Sequence, residues 1–141
     1  LSGSVISVDL ADAKHIALAD VDQAYATTLR VATGDRAVEE RDTWPAKELA
    51  AHAVINKTAR PAQIQLLSEE AEERGIPVEA FAEFIVAKAD AMAILVGRAS
   101  RIRQRTENAI KSAKTVQAIT DAIESMNEAF EGLIGQGEGG A

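Results

Sequence analysis

The stretch GIPVEAFAEFIVAKADAMAILVG, residues 75–97, decides the fold, because it places a helix stop and a helix start back to back. Gly75 takes the left-handed conformation cheaply and so ends one helix, with Ile76 packing back over the end. Pro77, with a fixed φ and no N–H to satisfy, opens the next helix. From there Val78, Phe81, Ile85, Lys88, Met92, Leu95, Ala99, Ile102, Thr106, Ala109 and Ala113 recur at alternating spacings of three and four. The pattern predicts one long helix of about 54 Å at 1.5 Å per residue. Gly97 interrupts it at about 1 kcal/mol relative to alanine, which predicts either a close helix crossing or a bend. The longest unbroken apolar run, AMAILV at 91–96, is far shorter than the roughly 20 residues a membrane span needs. A membrane reading therefore fails on length.

Working toward the C-terminus, Thr115 is placed to cap a last helix with the stripe Val116, Ile119, Ile123, Met126, Phe130 and Leu133. Charge predicts how it packs. Residues 98–114 are rich in Arg and Lys, whereas the last helix carries Asp121, Glu124, Glu128 and Glu131. If the chain reverses near Lys114, Arg105 comes level with Glu124, Arg101 with Glu128 and Arg98 with Glu131, which predicts an antiparallel helical hairpin. Each exposed pair is worth under about 1 kcal/mol, so the match sets register more than stability. GQGEGGA, residues 135–141, reads as a flexible tail.

Toward the N-terminus, AQIQLLSEEAEERG reads as a short helix carrying Ile64, Leu67 and Ala71 inward. RAVEERDTWPAKELAAHAVIN holds another, with Pro45 in its first turn after Asp42 or Thr43 and with Trp44, Leu49, Ala53 and His52 facing in. Leu18, Val21, Tyr25, Thr28 and Ala32 mark the first helix, which Asp9 or Asp12 can cap, and SVISVDL before it reads as a short extended arm. The expected architecture is an all-α helical bundle with one long helix and a C-terminal antiparallel helical hairpin. Its parts are an extended arm over 1–14, a helical domain over 15–134 and a tail over 135–141.

Composition sets the limits. Of the 141 residues, 47% are apolar, but roughly a fifth of the chain is alanine and aromatics make up only 4%. Alanine buries little area, so each helix contributes a thin stripe that gains most in close-packed bundles or oligomers. The net charge of −7 argues against general nucleic-acid affinity. With no cysteine there is neither a disulfide framework nor a thiol nucleophile. LSGSVISVDL lacks the basic segment and apolar core of a signal peptide.

Few residues here are equipped for chemistry. His15 and His52 are the only histidines and fall in different elements, without metal-ligand spacing around them. The carboxylates of SEEAEERG read as a solvated helix face, and no Gly-rich loop joins a strand to a helix. GRASRIRQR, residues 97–105, has no interleaved aromatics for base stacking. No enzyme, cofactor or metal site is expected.

ERDTWPAKELAAHAVI (40–55) and LLSEEAEERGIPVEAFAEFIVAKADAMAILVGRASRIRQRTENAI (66–110) together resemble a family of small tailed-bacteriophage proteins. Its pattern is a Tyr-containing helix, a Trp before a Glu-Ala-rich helix, a short helix ending ARGI, and a long helix reading V-x-K-A-x-A and then G-x-R. Tyr25, Trp44, Glu48, Arg74, Gly75, Ile76, Lys88, Ala89, Asp90, Gly97 and Arg98 carry the resemblance, which spans roughly residues 20–125. The chain differs in having AHAV where the family often has a second Trp, and Met92 where an aromatic follows KADA. The resemblance implies a structural role in a phage tail, baseplate or fibre, in the virion and, during assembly, in the host cytoplasm. The alternative is a non-virion tail-fibre assembly chaperone. Expected partners are other tail or fibre proteins and further copies of the chain, as a trimer or hexamer, with no nucleic acid and no membrane. The expected assembly interface is Trp44, Phe81, Ile85, Met92, Leu95, Ile102, Ile123 and Phe130.

Overall fold

A computed structural model describes residues 9–32 and 38–139, with side chains described for 9–32 and 43–135. The described residues form five helices and contain no strand: α1 (Leu10–Ala32), α2 (Val38–Ile55), α3 (Pro61–Glu73), α4 (Val78–Ser112) and α5 (Val116–Gly139). The all-α expectation holds, and α4 is the single long helix at 35 residues. The extended arm differs from expectation, since helix begins at Leu10 and residues 1–8 lie outside the described residues. The tail differs as well: α5 continues to Gly139, and only residues 140–141 of that segment lie outside the description.

One helical domain was expected over 15–134, but the chain forms two compact units. The central unit is residues 36–94, that is α2, α3 and the first half of α4. The terminal unit joins residues 1–35 to residues 95–141, so it contains α1, the second half of α4, and α5. The division follows from where α4 buries itself. Its first half carries Phe81, Ala82 and Ile85 into one core, and its second half carries Ala99 and Ile110 into another. Between them AMAILV, the most apolar run of the chain, holds no fully buried residue.

In the central unit two helices end in the same way. At the end of α3 the Gly75 amide donates to the Glu72 carbonyl and the Ile76 amide to Ala71, with Gly75 at φ +71°. This is a Schellman closure, and it places Ile76 against the core as expected. At the end of α2 the Lys57 amide donates to Val54 and the Thr58 amide to Ala53, with Lys57 at φ 62°. The same closure is made there without a glycine. Pro61 opens α3, where the Arg60 amide donates to Gln63 Oε1 at 2.9 Å. Pro77 stands one residue before α4 and accepts the Phe81 amide.

The core of this unit is Ala50, Ala51, Leu67, Ala71, Phe81, Ala82 and Ile85. α3 and α4 supply the large side chains and α2 the small ones, so its alanines let the helices approach closely. That arrangement corrects the expected inward face of α2: Leu49 is 65% exposed, whereas Ala50 and Ala51 are fully buried. His52 is exposed too, and Ile64 on α3 is half-exposed. Pro45 lies inside α2 rather than in its first turn. It is exposed, so water can serve the carbonyl that its missing N–H leaves unbonded.

In the terminal unit Asp9 caps α1, its Oδ1 accepting the Ala11 amide at 3.1 Å. Thr115 caps α5 as expected, its Oγ1 accepting the Ala118 amide at 3.1 Å. The core is built on Ala17, Val21, Ala99, Ile110, Ile119, Met126, Phe130 and Leu133. The second half of α4 runs antiparallel to α1, since Lys14 reaches the Lys111 carbonyl while Tyr25 meets Ser100. On α4 the expected inward Ala109 is exposed and Ile110 is fully buried instead. Ala99, Thr106 and Ala113, seven residues apart, stay buried, and Ile110, four residues after Thr106 and three before Ala113, lies on the same covered face.

Candidate assembly surface

The eight residues expected to form an assembly interface divide between the two units, and three of them are buried. Phe81 and Ile85 are 2% and 1% exposed inside the central core, and Phe130 is 4% exposed inside the terminal one. At these positions the seam closes within the chain and is covered by its own helices. Trp44 is half-buried against the central core, and Leu95, Ile102 and Ile123 are half-buried against the terminal core. Met92 is half-buried and, among the described residues, joins neither core.

Lys88 sat on the apolar stripe of the sequence, and cation–aromatic contacts account for it. Its Nζ lies 5.8 Å from the centroid of the Trp44 ring and 5.9 Å from that of Phe84. Arg74 stands over Phe81 and Phe84 at 5.1 and 5.2 Å, and these two rings stack at 6.3 Å. Arg74 also donates to Glu70 at 3.1 Å, and Lys47 donates to the same carboxylate at 2.9 Å. The Lys47 hydrogen bond is the main reason that the Glu70 carboxyl titrates below the usual glutamate range. The acidic run of α3 is thus partly engaged in fastening α2 to α3.

The terminal unit is fastened by Arg103. It bonds Asp22 across to α1 at 3.0 Å and Glu107 one turn along α4 at 3.0 Å, and it covers the Tyr25 ring at 4.9 Å. Tyr25 and Ser100 share a hydrogen bond of 3.1 Å. These contacts close the α1–α4 groove. Two of the three cross-helix pairs expected from charge turn out otherwise: among the described residues, no ion pair joins Arg101 to Glu128 or Arg105 to Glu124.

The other two grooves of this bundle stay open. Between α4 and α5 a cleft of about 470 Å³ is lined by Arg98, Arg101, Ile102, Arg105, Ala129, Gly132 and Leu133. Between α1 and α5 a second, of about 330 Å³, runs along Ala13, Ile16, Ala17 and Ile123, with Asp20 and Glu124 on its rim. Ile16 there is 60% exposed. In the central unit a shallow cleft of about 420 Å³ lies over Val54, Ile64, Pro77 and Val78 between Lys57 and Glu79.

Among the described residues no group of three or more His, Cys, Asp or Glu side chains is placed to hold a metal ion. His52 lies 3.9 Å from Glu48 on an exposed helix face. No helix among those residues is long and apolar enough to cross a membrane. Compared with known protein families, curated proteins and solved structures, the chain finds no match.

Sequence reasoning missed the Arg103 network and the open grooves. A local signal for the first existed: Asp22 with Tyr25, and Arg103 with Glu107, are helical neighbours at spacings of three and four. The grooves had none, because they depend on which helix covers which stripe.

Proposed function

We propose that the chain is a structural component of a tailed-phage tail, baseplate or fibre apparatus, acting through helix–helix assembly. The resemblance in the Trp44 and Gly75–Arg98 segments supports the setting. A bundle whose α4 and α5 form an antiparallel hairpin, with Ile110, Met126 and Phe130 buried in its core, gives such a component a stable body.

The observation that carries the assembly reading is the terminal unit's pair of open grooves, one edged by Arg101 and Arg105 and the other by Asp20 and Glu124, none of which makes an ion pair among the described residues. A side chain that adds no internal contact contributes to recognition at little cost to folding. Its partners are other tail or fibre proteins and further copies of itself. It works in the virion tail and passes through the host cytoplasm during assembly.

The test is quantitative mass spectrometry of tail particles purified from a lysate of the source, beside the particle-free supernatant. A fixed copy number per particle is the expected result. Abundance in the supernatant with none in particles would replace this reading with that of a non-virion assembly chaperone.

A further inference from the structure

We propose that the terminal units associate head to tail, the basic α4–α5 groove of one copy taking the acidic-rimmed α1–α5 face of the next. The inference rests on the assembly reading above and identifies the partner as a second copy of this chain.

The two faces flank α5 on opposite sides and differ in sign. Arg101 and Arg105, one helical turn apart, stand exposed at the rim of the α4–α5 groove, over Ile102, Ala129 and Leu133. Neither makes an ion pair or hydrogen bond among the described residues. The α1–α5 face offers the complement: exposed Asp20 and Glu124, likewise unpaired among those residues, around Ile16 and Ile123. The exposed Ile16 is the apolar side chain that the α4–α5 groove would cover.

Charge selects the mode of contact. A twofold contact through either face alone sets like charges against each other, whereas a heterologous contact of one face with the other brings opposite charges together. Such a contact repeats from copy to copy and builds a ring if the rotation closes, or a filament if it does not. The charged rim sets register and speeds encounter, and the apolar floor supplies affinity. A nucleic-acid backbone would engage the basic groove but leave the acidic face without a partner, against a net charge of −7.

Gly132 provides a variant that keeps the fold. A Cβ built there meets nothing within 4 Å, so the side chain of Gly132→Leu starts in open space at the groove and is expected to fill it. It also raises helix propensity. Light scattering over a concentration series of the full chain is the measurement. The wild type is expected to rise above its 14.9 kDa chain mass in whole multiples. Gly132→Leu, and separately Asp20→Lys with Glu124→Lys, are each expected to stay at one chain mass with unchanged helical circular dichroism.

Mixed in equal amounts, these two variants retain one intact face each and are expected to form a complex of twice the chain mass and no larger. A wild type that stays monomeric at every concentration overturns the proposal. So do variants that assemble like wild type, or a mixture that does not pair. A monomeric chain still found in tail particles would remove this interface and leave the virion role standing. An assembling chain absent from particles would do the reverse.

Discussion

The guanidinium of Arg103 lies 4.9 Å over the ring of Tyr25, and the same group is 3.0 Å from the Asp22 carboxylate. One side chain thus joins α1 to α4 by two interactions of different physical kind. The ion pair is screened by salt, whereas the contact with the ring face is short-ranged and much less so. Arg103→Met is expected to lower the urea midpoint, and Asp22→Asn to lower it by less. Raising NaCl is expected to erase the Asp22→Asn effect and to leave part of the Arg103→Met effect. Equal loss of both in salt would mean that the Tyr25 contact adds nothing.

The two cores share no side chain, so damage to them is expected to add. Phe81→Ala is expected to destabilise by about 3–5 kcal/mol and Ile110→Ala by about 2–5 kcal/mol. The double variant should match their sum within about 0.5 kcal/mol in chemical denaturation. A markedly different sum would show that the two sites are energetically coupled.

The paired helix closures at Lys57 and Gly75 predict substitutions of opposite effect. Gly75 has open space around it but sits at φ +71°, so Gly75→Ala is expected to lose about 1 kcal/mol through backbone strain alone. Lys57 holds φ 62° with a side chain attached. Lys57→Gly is expected to gain up to about 1 kcal/mol, net of the extra freedom glycine has when unfolded. Thermal melts of the two variants, shifted in opposite directions, would check both.

At Gly97 the expected alternatives were a helix crossing or a bend. A Cβ there meets nothing within 4 Å, which excludes a close crossing by the chain's own described helices. Gly97→Ala is therefore expected to stabilise α4 by about 1 kcal/mol. A lower melting temperature would mean that the position requires glycine for a reason outside local helix propensity.

Glu70 gives a pH dependence with a definite sign. Its carboxyl titrates below the usual range because Lys47, and then Arg74, bond its charged form. Its contribution is present in full above the unfolded value of about 4.3 and is lost as pH falls through the lowered folded value. With the carboxylate partly exposed, the effect stays under about 1 kcal/mol. Stability of the wild type relative to Glu70→Gln is expected to be flat near neutrality and to shrink below about pH 4.3. An advantage that persists at the acid end would assign the effect to packing rather than charge.

Much of the fold was legible in the sequence wherever the cause is local. The left-handed stop at Gly75, the caps at Asp9 and Thr115, and the length of α4 follow from backbone preferences and hydrogen bonds within a few residues. So does the choice of an all-α class, because apolar period and helix propensity agree along nearly the whole chain. The candidate surface was less legible. Phe81, Ile85 and Phe130, expected at an assembly interface, lie inside the chain's own cores, because a stripe records that a face is apolar and not which neighbour covers it.

Tertiary structure decided the rest. It buried Ala50 and Ala51 and left Leu49 outside, because close helix contact favours small side chains on α2 when Leu67 and Phe81 fill the space from the other side. It buried Ile110 in place of Ala109, because the position four residues after Thr106 and three before Ala113 shares their covered face. It divided α4 between two cores and left Arg101 and Arg105 beside an open groove, without an ion pair among the described residues. The sequence by itself determined where helices start, stop and turn apolar, since those energies are summed over neighbours in the chain. Which faces close, and which charges remain for a partner, depends on contacts between residues far apart in sequence, and only the folded chain sets those.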